Sequence, residues 1–391
     1  MYLVDGQKFK RDELGFPPVL AWAYRNHVRP MCVCSVPPIP VYITCLGGTF
    51  VLKRMPGTGS NHAVDCSHYQ PPGELCDSTD IGSAISEDPD TGLTKLDVDF
   101  SLSLETSRSR HHRAGGEVSS ARSTSSRLSL RGLLQFLWNE AELTRWKPAF
   151  AGRRSWAVVR HHLLCATANK VLKGRPLSNV VFVPETFTVA DKEDIAARRS
   201  RLLAGGFGRP GQGQAKMIVI GEVKEILPAR SAFNIVLKHL PDLPFSIEAD
   251  LYGRMIQNFE TELFMWRSAA DVHLMVAATF TLTSGDQPMI DEVSLVPTSG
   301  QWIPADDAFE LRLVNCLVRE SRSFRKSLQL NSKVPSLYPS AILLDVKAAP
   351  IGLALDRDSG YGVDASTVSE SGTTPDWPWR IRKGDLPAFP Q

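Results

Sequence analysis

The sequence predicts an α+β fold, with an N-terminal hairpin module, a central helical segment and a C-terminal mixed α/β domain. Two β-rich runs at residues 41–46 and 49–54 flank Gly47-Gly48, the pattern of a tight hairpin. Apolar residues recur at spacings of three and four over residues 128–143 and again from Ser155, the signature of helices that bury one face. From Lys216 to about Leu355, short strand-like runs alternate with helical periodicities. At 391 residues, 43% hydrophobic and 22% charged, the chain is long enough for two or three domains with their own cores.

The hairpin sits inside a dense cluster of soft ligands. Cys32, Cys34, Cys45, His62, Cys66 and His68 place four of the seven cysteines and two of the nine histidines within 37 residues. Zinc takes four tetrahedral thiolate or imidazole ligands, commonly as two close pairs joined by a short structured segment. Cys32-Val33-Cys34 is one pair. The second is either His62 with Cys66 or Cys66 with His68, giving Cys-x-Cys-x27-His-x3-Cys or Cys-x-Cys-x31-Cys-x-His. Ile43 and Cys45 point opposite to Tyr42 and Thr44 along the first strand, so Cys45 is expected in apolar packing rather than on a metal. Cys32, Cys34, His62 and Cys66 are therefore taken as the ligands of one structural Zn2+ in a zinc-ribbon-like module over residues 1–75. The bland alternative is a set of buried thiols in a reducing cytoplasm, because Cys-x-Cys is less diagnostic than the common two-residue knuckle. A disulfide framework is disfavoured by the odd number of cysteines and by a chain too long to need staples, and Cys165 and Cys316 stand alone in apolar stretches.

Further along, residues 76–104 form a connecting region in which Leu96, Val98, Phe100, Leu102 and Leu104 alternate as in a half-buried strand. Residues 105–127 are rich in Ser and Arg without apolar period and read as a disordered linker. Residues 128–204 form the helical domain. Arg153, Arg154, Arg160, His161, His162, Lys170, Lys173 and Arg175 decorate its second helix and the following turn, before a strand at 180–183. Helix, turn, basic helix, basic turn and strand is the order of winged-helix modules, so Arg153, Arg154, Arg160, His161, Lys173 and Arg175, together with Lys53 and Arg54, are candidate nucleic-acid contacts. The competing reading is an amphipathic helix pair with an ordinary basic solvent face.

Residues 205–357 form the mixed α+β domain. Gly205 to Gly213 opens a strand rather than a helix and lacks the Lys-Ser/Thr of a phosphate loop, which argues against a nucleotide site. Strands are expected at 233–237, 273–283, 290–296 and 341–346, and helices at 191–203, 246–266 and 307–330. Phe309, Leu313, Cys316 and Leu317 mark the buried face of the last helix, which Arg319, Arg322, Arg325 and Lys326 would close. Glu222-Val223-Lys224 matches the acidic-x-Lys triplet of restriction-type metal-dependent nucleases, in which carboxylates hold a divalent cation and the Lys stabilises charge at the scissile phosphate. No upstream Asp completes that set, and Asp345-Val346-Lys347 shows how easily the triplet arises. Residues 358–391 are a polar tail carrying Trp377 and Trp379 as an aromatic anchor.

The run from Lys53 to Cys66 after the Cys-x-Cys pair resembles the domain of unknown function 1173 family of uncharacterised bacterial proteins. So do Leu134-Gln135-Phe136-Leu137-Trp138 through Arg153-Arg154-Ser155-Trp156, the run from Val219 to Glu225, and Gly384-Asp385-Leu386-Pro387. The resemblance spans nearly the whole chain. It implies three N-terminal family cysteines, mapping onto Cys32, Cys34 and Cys66, and a setting on integrating or conjugative elements such as plasmids, with other mobile-element proteins as partners. His68 is the position least typical of the family pattern, which favours His62.

A net charge of +2 excludes little by itself. The N-terminus lacks a basic-then-apolar signal pattern and no apolar run approaches the roughly 18 residues of a membrane span, so a cytoplasmic protein without a membrane partner is expected. Two classes of function remain. One is a zinc-containing DNA- or RNA-binding protein or scaffold. The other is a metal-dependent nuclease using Glu222 and Lys224, and a protein-interaction module with structural zinc is a further alternative.

Overall fold

The computed structural model describes residues 1–11, 13–46, 49–55, 58–63, 66, 68–69, 84–87, 93–102, 127–207, 215–230, 232–283, 287–328, 339–346, 350–356, 377–381 and 386–390. Residues 105–126 of the expected linker and the Gly208–Gly213 part of the glycine run lie outside these residues.

Strands β1 (Tyr2–Val4) and β2 (Gln7–Phe9) form a hairpin whose turn puts Asp5 and Gly6 at φ of 46° and 77°. Helix α1 (Phe16–Arg25) carries Pro17 and Pro18 in its first turn, where a missing amide hydrogen forfeits no intrahelical bond. Strands β3 (Met31–Cys32), β4 (Ile39–Leu46) and β5 (Thr49–Arg54) complete an antiparallel sheet of order β2-β1-β3-β4-β5. The expected hairpin is present, with Val41 opposite Arg54 and Leu46 opposite Thr49. The zinc-ribbon expectation is corrected: the hairpin is two strands of five, and α1 lays Phe16, Leu20 and Ala23 on Tyr2, Val4, Val41 and Ile43. The side chain of Cys45 lies outside the described residues.

Strands β6 (Ile85–Glu87) and β7 (Thr94–Leu96) lead to helix α2 (Leu130–Glu140), whose first turn is capped by Ser129 Oγ accepting from Gly132 N at 3.0 Å. The alternation expected after Leu93 appears as buried Leu96, Val98, Phe100 and Leu102, although paired strand covers only the start of it. Then come β8 (Arg145–Trp146), α3 (Trp156–Thr167), β9 (Lys170–Leu172), β10 (Arg175–Pro176), β11 (Val181–Phe182) and α4 (Lys192–Gly206). The winged-helix expectation is corrected in topology. β9 runs parallel to β7, and β11 runs parallel to the strand that follows α4, so the segment shares its sheets with its neighbours.

That next strand, β12 (Met217–Pro228), begins a closed barrel with β13 (Ala232–Leu237), β14 (Leu240–Glu248), β15 (His273–Leu282) and β16 (Pro288–Thr298). β12 pairs antiparallel with both β13 and β15, β13 with β14, and β15 with β16, while β14 and β16 meet in parallel. Helices α5 (Ala249–Asn258) and α6 (Glu260–Ser268) connect the third and fourth strands and send Met255 and Leu263 into the barrel core. Around the barrel the strands run first, second, third, fifth, fourth and back to first, which with a helix after the third strand is the OB-type barrel. Gly221 sits where a side chain would strike Leu237, its ideal Cβ lying 2.8 Å from that residue's Cδ1. The helix expected over 246–266 is corrected, because β14 runs to Glu248 and the helical stretch breaks at Phe259.

Helix α7 (Ala308–Arg319) starts at Asp307, whose carboxylate accepts from the Phe309 and Glu310 amides. It ends eleven residues before the expected 330, so Arg325 and Lys326 belong to β17 (Phe324–Lys326). β17 joins β18 (Ala341–Leu343), β19 (Ile351–Asp356), β20 (Trp377–Arg380) and β8 in a sheet of order β20-β19-β18-β17-β8. Trp377 and Trp379 are buried in it, as an aromatic anchor should be, and Cys316 is a core residue. The largest apolar core draws on residues 84–102, 128–183 and 218–302 together. Among the described residues no helix is long and apolar enough to cross a membrane.

Candidate metal centre

Cys32 ends β3, Cys34 follows it, and His62 and Cys66 lie beyond β5, so the sheet register sets where the four meet. One ligand atom from each of Cys32, Cys34, His62 and Cys66 falls within 4.8 Å of all the others. Cys32 Sγ is 3.6 Å from Cys66 Sγ, and His62 Nδ1 is 3.2 Å from Cys34 Sγ and 3.7 Å from Cys66 Sγ. A tetrahedron with zinc–ligand bonds near 2.3 Å to sulfur has edges of roughly 3.6–3.8 Å, so these atoms can share one ion. Cys32, Cys34 and Cys66 are free thiols. The amides of Ala63 and His68 donate to Cys34 Sγ and Cys66 Sγ at 3.4 and 3.5 Å, the hydrogen bonds that thiolates favour.

The electrostatics suit a cation. The hydrogen bond from Cys32 lowers the Cys66 thiol to about 5, and the same bond, with burial, pushes Cys32 up. A cation arriving here would meet a ready thiolate and release the proton shared by the pair. His62 is buried and its outer Nε2 has no hydrogen-bond partner among the described residues. His68 does not join the group. Its Nε2 is 2.9 Å from Tyr2 Oη and its ring packs 5.4 Å from that of His62. Burial, then the charges of His62, Arg11 and Arg54, hold it neutral with a pKa near 3. Tyr2 and the backing role of His68 had no signal in the sequence, because both depend on β1 pairing with β3.

The module is fixed to α2 through one carboxylate. Tyr42 Oη donates to Glu140 at 2.9 Å and Lys170 Nζ lies 2.9 Å from the same carboxylate. Burial would raise the Glu140 pKa, but Lys170, Lys53 and Tyr42 outweigh it and hold Glu140 at about 2.

The other basic residues singled out in the sequence are placed differently from one another. Arg154 donates to the main-chain carbonyls of Leu143, Arg145 and Gln301, and burial lowers its pKa to about 10. Arg160 donates to Val183 O, Arg175 to the carbonyls of Lys216 and Gly206, and Lys173 to Phe100 O. These four brace the fold through carbonyl oxygens. Arg153 and His161 are exposed, whereas Lys53 and Arg54 are half-buried.

Glu222 lies within β12 and is 5% exposed. Its Oε1 accepts from His273 Nδ1 at 2.7 Å and from Lys238 Nζ at 3.1 Å. Burial raises its pKa, but these two partners outweigh that and leave it lowered. Lys224 pairs instead with Glu225 at 3.1 Å across a bulge in the ladder. His273 is stacked on Trp302 with ring centroids 3.9 Å apart. Among the described residues no group of three metal-ligating side chains forms around Glu222.

Residues 2–382 match the family model described as Protein of unknown function (DUF1173). The chain belongs to the DUF1173 family. No curated protein and no solved structure matches it. For a DUF1173 protein the site therefore has to be read from its own chemistry, and the Cys/His set is the part with a definite chemical reading.

Proposed function

We propose that this DUF1173 protein holds one structural Zn2+ through Cys32, Cys34, His62 and Cys66 and acts on mobile elements by binding nucleic acid. The observation that carries the metal reading is the convergence of four soft ligand atoms within 4.8 Å. Four protein ligands leave no open position for substrate or water, which favours a structural over a catalytic ion. The test is elemental analysis of protein purified under reducing, chelator-free conditions. About one zinc per chain, lost in Cys66→Ser, is the expected result; metal-free wild type would leave the four residues as ordinary thiols.

The nucleic-acid reading rests on the metal module, on the family's setting among integrating and conjugative elements, and on a barrel of a type that often binds single strands. Fold type alone does not carry it. Retardation of DNA or RNA at low salt, weakening as salt rises and surviving Glu222→Ala, is the expected behaviour. Cleavage that needs added magnesium and is lost in Glu222→Ala would favour the nuclease alternative, which the pairing of Glu222 with His273 and Lys238 disfavours.

A further inference from the structure

Two of the four ligand atoms are sulfurs in contact with each other. Cys32 Sγ and Cys66 Sγ are 3.6 Å apart, so a movement of about 1.5 Å would bring them to bonding distance. The two sulfurs are not equally anchored. Cys32 is 1% exposed and sits in β3 with a ladder partner on each side, Tyr2 of β1 and Ile39 of β4. Cys66 is half-buried and lies in successive turns, where its amide donates to Ala63 O at 2.8 Å and its carbonyl accepts from Tyr69 N at 2.9 Å. The movement falls to Cys66, which is also the sulfur of the pair that a small solute reaches first.

The third thiol is placed less well for a bond. The chain stays extended from Cys32 through Val33, whose amide donates to Met1 O at 3.2 Å. Alternate residues of an extended chain stand roughly 6.5 Å apart with side chains side by side, near the limit that a disulfide spans. That geometry disfavours Cys32 with Cys34. Cys34 Sγ is turned instead to His62 Nδ1 at 3.2 Å and accepts from the Ala63 amide at 3.4 Å.

We propose that Cys32 and Cys66 are a redox-sensitive modification site, which hydrogen peroxide closes into a disulfide with release of the zinc. The proposal rests on the metal reading above and names how that same site is regulated. Ligation keeps both sulfurs as thiolates, the nucleophilic form. Cys66 Sγ attacks one oxygen of the peroxide, the O–O bond breaks, and the departing hydroxide takes a proton to become water. Cys66 is then a sulfenic acid. Cys32 Sγ attacks the Cys66 sulfur, the S–O bond breaks, and a second hydroxide leaves and is protonated to water. Two thiolates have lost two electrons, and the peroxide has gained them with two protons from solvent. Cys34 and His62 remain as two ligands where a structural site takes four, so the ion leaves. The new bond ties β3 to Cys66 at the point the ion had held, and a dithiol that reduces it restores the four ligands.

The test exposes the whole zinc-loaded chain to hydrogen peroxide and follows zinc release with a chromogenic chelator. The remaining thiols are then alkylated and the peptides mapped by mass spectrometry. About one zinc per chain should be released in step with a Cys32–Cys66 disulfide, with Cys34 still alkylated and zinc rebound after dithiothreitol. Cys165→Ala, at a half-buried thiol on α3, should leave the release unchanged. In Cys32→Ser the Cys66 sulfenic acid has no thiol to resolve it and should run on to sulfinic acid, so that dithiothreitol no longer restores zinc. Should that variant fail to load zinc, the peptide map of wild type decides by itself. Zinc-loaded wild type that resists peroxide, goes directly to sulfinic acid, or forms a disulfide through Cys34 or another cysteine overturns the switch while the metal reading stands. Wild type that carries no zinc overturns both.

Discussion

The N-terminal sheet and the OB-type barrel each have five strands, yet they are held together by different means. Among the described residues the N-terminal core contains eight buried apolar side chains, including Cys32 itself, whereas the barrel core contains eighteen. A layer with few buried apolar side chains gains little from packing, and that shortfall is what a metal or a neighbouring domain commonly supplies. The barrel is held by closure between β12 and β15, and its strands also contribute Ile218, Ile220, Met275, Ala277 and Val296 to the largest apolar core. The Cys/His group that could hold a metal thus lies at the smaller of these two cores.

The sharpest way to break the comparison is to remove one of the proposed ligands. Cys66→Ser, or a strong chelator, should collapse amide protection across residues 1–69 while amides of β12 and β15 keep theirs by hydrogen exchange. Equal loss in both regions would mean they unfold as one unit. The converse experiment is Phe280→Ala. Phe280 is fully buried, edge-on to both Phe207 and Phe245, so its truncation should cost about 3–5 kcal/mol in urea unfolding and leave zinc content unchanged. A smaller effect is expected from Glu222→Gln, about 1–3 kcal/mol, because it leaves His273 and Lys238 facing a neutral amide. The pH dependence has a definite sign. Glu222 has a folded-state pKa below the ordinary glutamate value of about 4.3, so its contribution is complete above that pH and is lost as pH falls through the depressed value. Urea midpoints of wild type and variant should therefore converge at acid pH; a constant gap would show that packing, not charge, is responsible.

Much of the local structure could be read from residues. The pairing of β4 with β5, helices α2 and α3, and the Cys/His group were visible because each depends on short-range periodicity or residue type. What failed was non-local. Nothing near Tyr2 announces that it pairs with Cys32, and Pro17-Pro18 reads as a break unless one knows it opens a helix. The helix expected to 330 stops because Ser321 takes φ of 56°, a local reversal that the amphipathic pattern could not reveal. The basic residues around α3 looked like a phosphate-facing surface, yet Arg154, Arg160 and Arg175 turn inward to carbonyl oxygens. Their charge was legible and their direction was not. Barrel closure rests on β12 pairing with a strand more than fifty residues later and on a single parallel contact at Ser246 and Met289, both beyond any window of periodicity.

Closure also decides where this β-rich chain is vulnerable to self-association. Each barrel strand has neighbours on both sides, so open edge in the barrel is confined to the stretch where β14 and β16 meet only at Ser246 and Met289. The N-terminal sheet is open, and β5 pairs only with β4 among the described residues. Its last two residues are Lys53 and Arg54, the kind of charge that discourages edge-to-edge stacking. Aggregation of metal-depleted protein should accordingly begin at this rim, and the two cations that guard it are also the first protection lost to neutralising substitutions there.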